Sequence, residues 1–150
     1  KYNCVTIMGE HTKADIVSMK VSDGEEVSVE ERIKRHTVYF DVESSEIDDM
    51  FNKSLDELAH FLKENGQIKL QLNGHTDKKE EEAIKNDPEN EMLVNLGNFR
   101  SKSIKDYLVK KGISADRFTI MDVGSDQPAA PGLSMLNLAK NRRVEFIITK

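Results

Sequence analysis

Two periodicities meet between Ile68 and Arg100, and together they fix the class of fold open to this chain. Ile68, Leu70 and Leu72 alternate with Lys69, Gln71 and Asn73, the pattern of a strand with one buried face. Gly74 ends that strand, and Asp77 follows in the loop Gly74-His75-Thr76-Asp77. Beyond a charged stretch, Leu93, Leu96, Ile104, Tyr107 and Leu108 recur at helical spacing. Asp87-Pro88 predicts the helix start, with Asp87 as cap and Pro88 at the first helical position. Lys110-Lys111-Gly112 predicts its end, cations lying near the negative pole and glycine free to take the left-handed cap. Amphipathic helices alternating with half-buried strands have to cover a sheet.

Two charged residues stand out against this pattern. Arg100 lies one turn after Leu96 and one turn before Ile104, on the stripe that faces the core. An arginine there needs a partner or an exit to water; the plain reading is a packed stem with its head in solvent. Asp77 reads plainly as a turn-former accepting bonds from nearby backbone N–H groups.

The rest of the chain fits the same architecture. Val5 and Ile7, then the runs 15–21 and 26–30 around Ser22-Asp23-Gly24-Glu25, predict an N-terminal β-hairpin. The charged segment 30–36 predicts a connector. Val38, Phe40 and Val42 alternate against Thr37, Tyr39 and Asp41 as a strand. Phe51, Leu55, Leu58, Ala59 and Leu62 form one helical face, with Gly66 where a C-terminal cap belongs and His60 off the stripe, in solvent. The segment 78–86, rich in Lys and Glu, predicts a solvated loop or short surface helix. Residues 117–123 form a further strand, 124–132 an irregular loop with two glycines and two prolines, and 134–140 a turn or two of helix. In the last strand Val144, Phe146 and Ile148 share a face with Arg142 at its entrance, while Arg143 and Glu145 point to the surface. The expected fold is α+β: a two-layer sandwich of order β-α-β-α-β-(α)-β with a mixed sheet, preceded by the hairpin. Residues 1–36 are expected to form hairpin and connector, and 37–150 the main domain.

Composition narrows the function. A length of 150 residues holds one ordinary domain, and a net charge of -5 argues against nucleic acid as partner. No apolar run approaches the length of a membrane-spanning helix, and Lys1 in place of Met fits a processed form or an excised domain. The lone Cys4 reads as a small strand residue. Phosphate-binding glycine loops, paired cysteines and a GxSxG elbow are all missing from the sequence. His75 and Asp77 are too few ligands to imply a metal, and nothing singles out a nucleophile with a base. Asp77, Arg100 and Arg142 therefore point to binding, with no catalytic residue and no cofactor.

Asn73-Gly74-His75-Thr76-Asp77, Leu96-Gly97-Asn98-Phe99-Arg100, Gly124 with Pro128, and Asn141-Arg142-Arg143-Val144-Glu145-Phe146 resemble, in this order, the OmpA-like C-terminal domain. The likeness runs from about Thr37 to Thr149. It implies a non-catalytic module that binds peptidoglycan through the diaminopimelate of the stem peptide. Such a module anchors an outer-membrane protein or lipoprotein in the periplasm of a Gram-negative bacterium, meeting the membrane only through a part outside this chain. Carried over by motif, Asp77 takes the ligand's ammonium and Arg100 its carboxylate. Phe40 and Asp41 flank them at the first strand's end, Leu96 forms an apolar wall, and Arg142 stands at the start of the last strand. The chain departs from the pattern in a longer stretch between Asp77 and Arg100 and in Glu80, where glycine is common. Leu93 replaces an asparagine, Gly97 a serine, and Asn137-Leu138 a Gly-Arg. These departures imply a reshaped loop, and leave as alternative a structural or protein-interaction module in which Arg100 is paired internally with an acid of 78–92.

Overall fold

The strand that contains Leu70 and Leu72 lies inside a mixed sheet of order β1-β4-β2-β3. The computed structural model describes residues 28–149, so the N-terminal hairpin and Cys4 lie outside the described residues. In chain order the elements are α1 (Val29–Lys34), β1 (Val38–Tyr39), a 3-10 turn (Asp49–Phe51) and α2 (Asn52–Glu64). Next come β2 (Lys69–His75), α3 (Lys78–Asn86), α4 (Glu91–Val94) and α5 (Leu96–Lys110). A second 3-10 turn (Ala115–Arg117), β3 (Phe118–Gly124), α6 (Met135–Asn141) and β4 (Arg143–Thr149) complete them. β2 pairs in parallel with β3 and antiparallel with β4, which pairs antiparallel with β1. The α+β sandwich expected from periodicity is the fold observed.

The core lies where the two periodicities meet. Leu70 and Leu72 of β2 stand opposite Ile148 and Phe146 of β4 and opposite Phe118 and Ile120 of β3. Onto this face α2 lays Leu55, Leu58 and Leu62, and α5 lays Ile104 and Leu108. Val38, Phe40, Val144 and Ile33 extend the cluster. Strand and helix backbones touch at one point: a β-carbon on Gly74 would lie 1.9 Å from the carbonyl oxygen of Gly97. Only paired glycines allow that approach, and it sets the depth at which α5 sits on the sheet. Ser101 Oγ locks the contact by donating to Leu72 O at 3.1 Å. Because α5 has no side-chain cap of its own at Asn95, Asp122 of β3 serves instead, accepting the backbone N–H of Asn98.

Several boundaries differ from the sequence reading. Ser28 begins a helix, not the end of a strand; its Oγ accepts the Glu31 N–H, and Ser28-x-x-Glu31 is a capping pattern. The strand expected at 37–42 keeps ladder pairing at Val38 and Tyr39 alone, and Val42 is exposed. β2 continues through Gly74 to His75 with a register shift between them. Asp87-Pro88 ends α3 and does not begin the long helix: the Asp87 N–H bonds back to Ala83 and Ile84, and proline cannot continue the ladder. Asn90 caps the next helix. Gly66 takes no left-handed conformation, whereas Gly112 does, with φ +103°. Gly112 N–H bonds Val109 O and Ile113 N–H bonds Leu108 O, so α5 closes with paired capping bonds and two buried side chains.

Candidate functional site

Arg100 is not a boundary arginine. It is fully buried on the core side of α5, and all its N–H groups are used. Nε donates to Ser44 O at 2.8 Å, Nη1 to His75 O at 2.9 Å and Nη2 to Asp41 O at 3.0 Å. The remaining two donors form a fork on one carboxylate, Nη1 to Glu80 Oε1 at 2.9 Å and Nη2 to Glu80 Oε2 at 2.7 Å. The ring of Phe40 lies against the guanidinium, 5.3 Å from its centroid.

Glu80 is equally buried, and it contradicts the reading of 78–86 as wholly solvated. Besides the fork, its Oε1 accepts the Asp77 backbone N–H at 3.0 Å and its Oε2 that of Glu43 at 2.7 Å. Four donors thus converge on one carboxylate. Glu43 achieves this from a left-handed backbone, φ 55°, uncommon for a residue with a β-carbon. That turn also sends the Asp41 and Ser44 carbonyls toward Arg100.

Asp77 caps α3: its Oδ1 accepts the Glu80 N–H at 2.7 Å, and the Glu80 side chain reaches back to the Asp77 N–H, a complete capping box. Its other oxygen takes Arg142 Nη1 at 2.9 Å, and the residue is almost fully buried. Arg142, which ends α6, also donates Nε to Phe40 O at 2.9 Å, so its head is held by the protein and is largely buried. Leu96, one turn before Arg100, is buried, and Asp41 is exposed at the rim. Thus the structure brings Asp77, Arg100, Arg142, Phe40 and the Asp41 backbone together, with Glu80 in the middle. The sequence signal for Glu80 was the spacing Asp77-x-x-Glu80.

The His75 side chain points away from this seat, although its carbonyl accepts from Arg100. Its side chain is buried toward Arg143 and Glu145, and neither ring nitrogen has a hydrogen-bond partner among the described residues. Burial, then the nearby Arg143 charge, hold its pKa down at about 4 despite Glu145. Arg143 is itself buried, not on the surface as expected; it pairs with Glu145 and donates to Asn141 O and Gln127 O. Asn141 in turn accepts the Ala129 and Ala130 N–H groups, tying down the loop after β3. Among the described residues no group of three metal-ligating side chains converges, and no helix is long and apolar enough to cross a membrane.

A model of the OmpA family matches residues 39–142, which include every residue of this cluster. The chain belongs to the OmpA family. It is 31% identical over 125 residues to the peptidoglycan-associated lipoprotein of Buchnera aphidicola, covering 83% of this chain and 68% of that protein. The peptidoglycan-associated lipoprotein of Pseudomonas aeruginosa is 34% identical over 110 residues, covering 73% of this chain and 60% of the relative. This OmpA-family chain therefore spans about two thirds of the length of these two relatives. Its fold superposes on the crystal structure of the peptidoglycan-associated lipoprotein from Burkholderia pseudomallei with TM-score 0.64 at 24% identity, covering 75% of this chain and 89% of that one.

Proposed function

We propose that this chain is a non-catalytic peptidoglycan-binding module that holds the diaminopimelate residue of the stem peptide and so anchors a larger protein to the cell wall. Residues 37–150 would form the module, preceded by 1–36 as hairpin and connector, from which Ile33 joins the core. The observation that carries this reading is the seat at Glu80: a guanidinium fork and two backbone N–H groups around one carboxylate, with the Asp77 carboxylate beside it. A zwitterionic carbon bearing an ammonium and a carboxylate matches that pair of charges. In this assignment Arg100 takes the carboxylate and Asp77 the ammonium. Arg142 orients Asp77, Phe40 and Leu96 wall the seat, and Asp41 lies at its edge. The names of the relatives support a place in the periplasm at the cell wall of a Gram-negative bacterium, with any membrane contact made by parts outside this chain.

The Glu80 pairing also favours a second reading, in which the fold persists as an interaction module and the seat is filled for good. Two experiments separate them. In co-sedimentation, the first reading expects retention on purified sacculi that carry diaminopimelate and little on sacculi with lysine at that position. In an amide-shift titration with meso-diaminopimelate, it expects saturable shifts near Asp77, Arg100 and Arg142, lost in Asp77→Asn. No retention on either wall would give the lead to the interaction module.

A further inference from the structure

The third residue of α3 is the helix's sole fully buried residue. An amphipathic helix ordinarily docks through apolar side chains, whereas α3 is pinned by a carboxylate. Around that pin Lys78, Lys79, Glu82, Lys85 and Asn86 are exposed, and Ala83 and Ile84 are only half-buried. A second fastening is at Glu81, which accepts from Ser125 Oγ while pairing along its own helix with Lys78 and Lys85. The seat holds the pin by bonds that any carboxylate of the right reach could accept. They are the Arg100 fork, the Asp77 N–H and the Glu43 N–H.

We propose that Glu80 is an internal occupant of the ligand seat, and that it sets the affinity and specificity of this site. While Glu80 is in place, Arg100 has no donor left for a second carboxylate, since its other bonds go to the Ser44, His75 and Asp41 carbonyls. An incoming zwitterion gains its carboxylate contacts only as Glu80 gives them up, so the net gain from a small ligand is slight. A larger ligand, with further contacts outside the seat, tips the exchange. Withdrawal of Glu80 also breaks the reciprocal half of the capping box at Asp77, so ligand entry loosens the first turn of α3. This inference rests on reading the seat as a carboxylate-binding site of a zwitterion.

The test replaces Glu80 in the full chain. Glu80→Ala leaves Arg100 facing a cavity of carboxylate shape, and acetate is the probe. The expected result is a melting temperature that rises saturably with sodium acetate beyond the effect of sodium chloride at equal ionic strength. Wild type should show no such difference, and neither should Glu80→Ala/Arg100→Met, in which the cation is gone. Titration of meso-diaminopimelate should show at least tenfold tighter binding to Glu80→Ala than to wild type. If acetate neither restores folding nor raises the melting temperature of Glu80→Ala or of Glu80→Gly, the proposal is overturned. Acetate rescue in a variant that ignores both sacculi and diaminopimelate would keep Glu80 as the seat's occupant and sink the peptidoglycan reading alone.

Discussion

At the scale of single residues, the Arg100–Glu80 pair is the most consequential feature. A buried ion pair is costly to desolvate, and here the cost is offset by bonds to every guanidinium N–H and by four donors on the carboxylate. Removing one partner strands the other. Arg100→Met and Glu80→Leu should each lower stability by about 3–5 kcal/mol in urea unfolding, and the double variant should lose far less than their sum. Additive losses would mean that the two groups do not depend on each other. Arg100→Lys keeps the charge but offers a compact ammonium with fewer donors, so it should cost on the order of 2 kcal/mol by the same measurement. The sequence placed Arg100 on the core face correctly, because helical periodicity is a local property. It could not supply the partner: the acids between 78 and 92 looked alike until Asp77 capped α3 and turned Glu80 inward.

At the scale of elements, the site depends on how closely α5 lies on β2. A β-carbon on Gly97 would fall 2.2 Å from Asp122 Oδ1 and 2.8 Å from Gly74 O, with backbone on one side and a capping carboxylate on the other. Gly97→Ala should therefore push α5 off the sheet and cost roughly 2–3 kcal/mol, read as a lower urea midpoint. Gly66→Ala is the matched control, since nothing lies within 4 Å of the added carbon and its φ is not positive. That change should fall within about 0.5 kcal/mol of wild type or stabilise slightly. The same comparison explains where the reading of helix ends failed. Gly112 follows a helix whose final carbonyls need a left-handed cap, whereas Asn65 ends α2 and bonds its side chain to Phe61 O. A glycine after an apolar stripe is an invitation to cap, and which glycine accepts depends on the packing beyond it.

At the scale of the whole molecule, His75 ties global stability to pH. Its pKa is held at about 4 in the folded protein, below the ordinary 6.5, because the buried ring has little access to water and stands near Arg143. The unfolded chain therefore binds the extra proton first. Stability should be full above about pH 6.5, fall as pH drops toward about 4 by an amount on the order of 2–3 kcal/mol, and level off below. His75→Asn should flatten that part of the profile in denaturant titrations across pH; an unchanged slope would assign the titration to another group. The architecture is legible from local patterning alone. Apolar spacing at Leu70 and Leu72, at Leu55, Leu58 and Leu62, and at Ile104 and Leu108 says which faces meet, because side-chain direction follows from local backbone geometry. The sequence also marked Asp77, Arg100 and Arg142, since a charge on an apolar stripe or at a strand mouth is visible in one dimension. What those charges do follows from the packing of distant segments. Glu80 reaches Arg100 across 20 residues, and Ser44 and Asp41 reach it across more than 50, through a strained turn at Glu43 and a capped helix start. Such contacts depend on three-dimensional closure: the spacing Asp77-x-x-Glu80 marks Glu80 as a capping partner, and the folded chain alone brings its carboxylate onto Arg100.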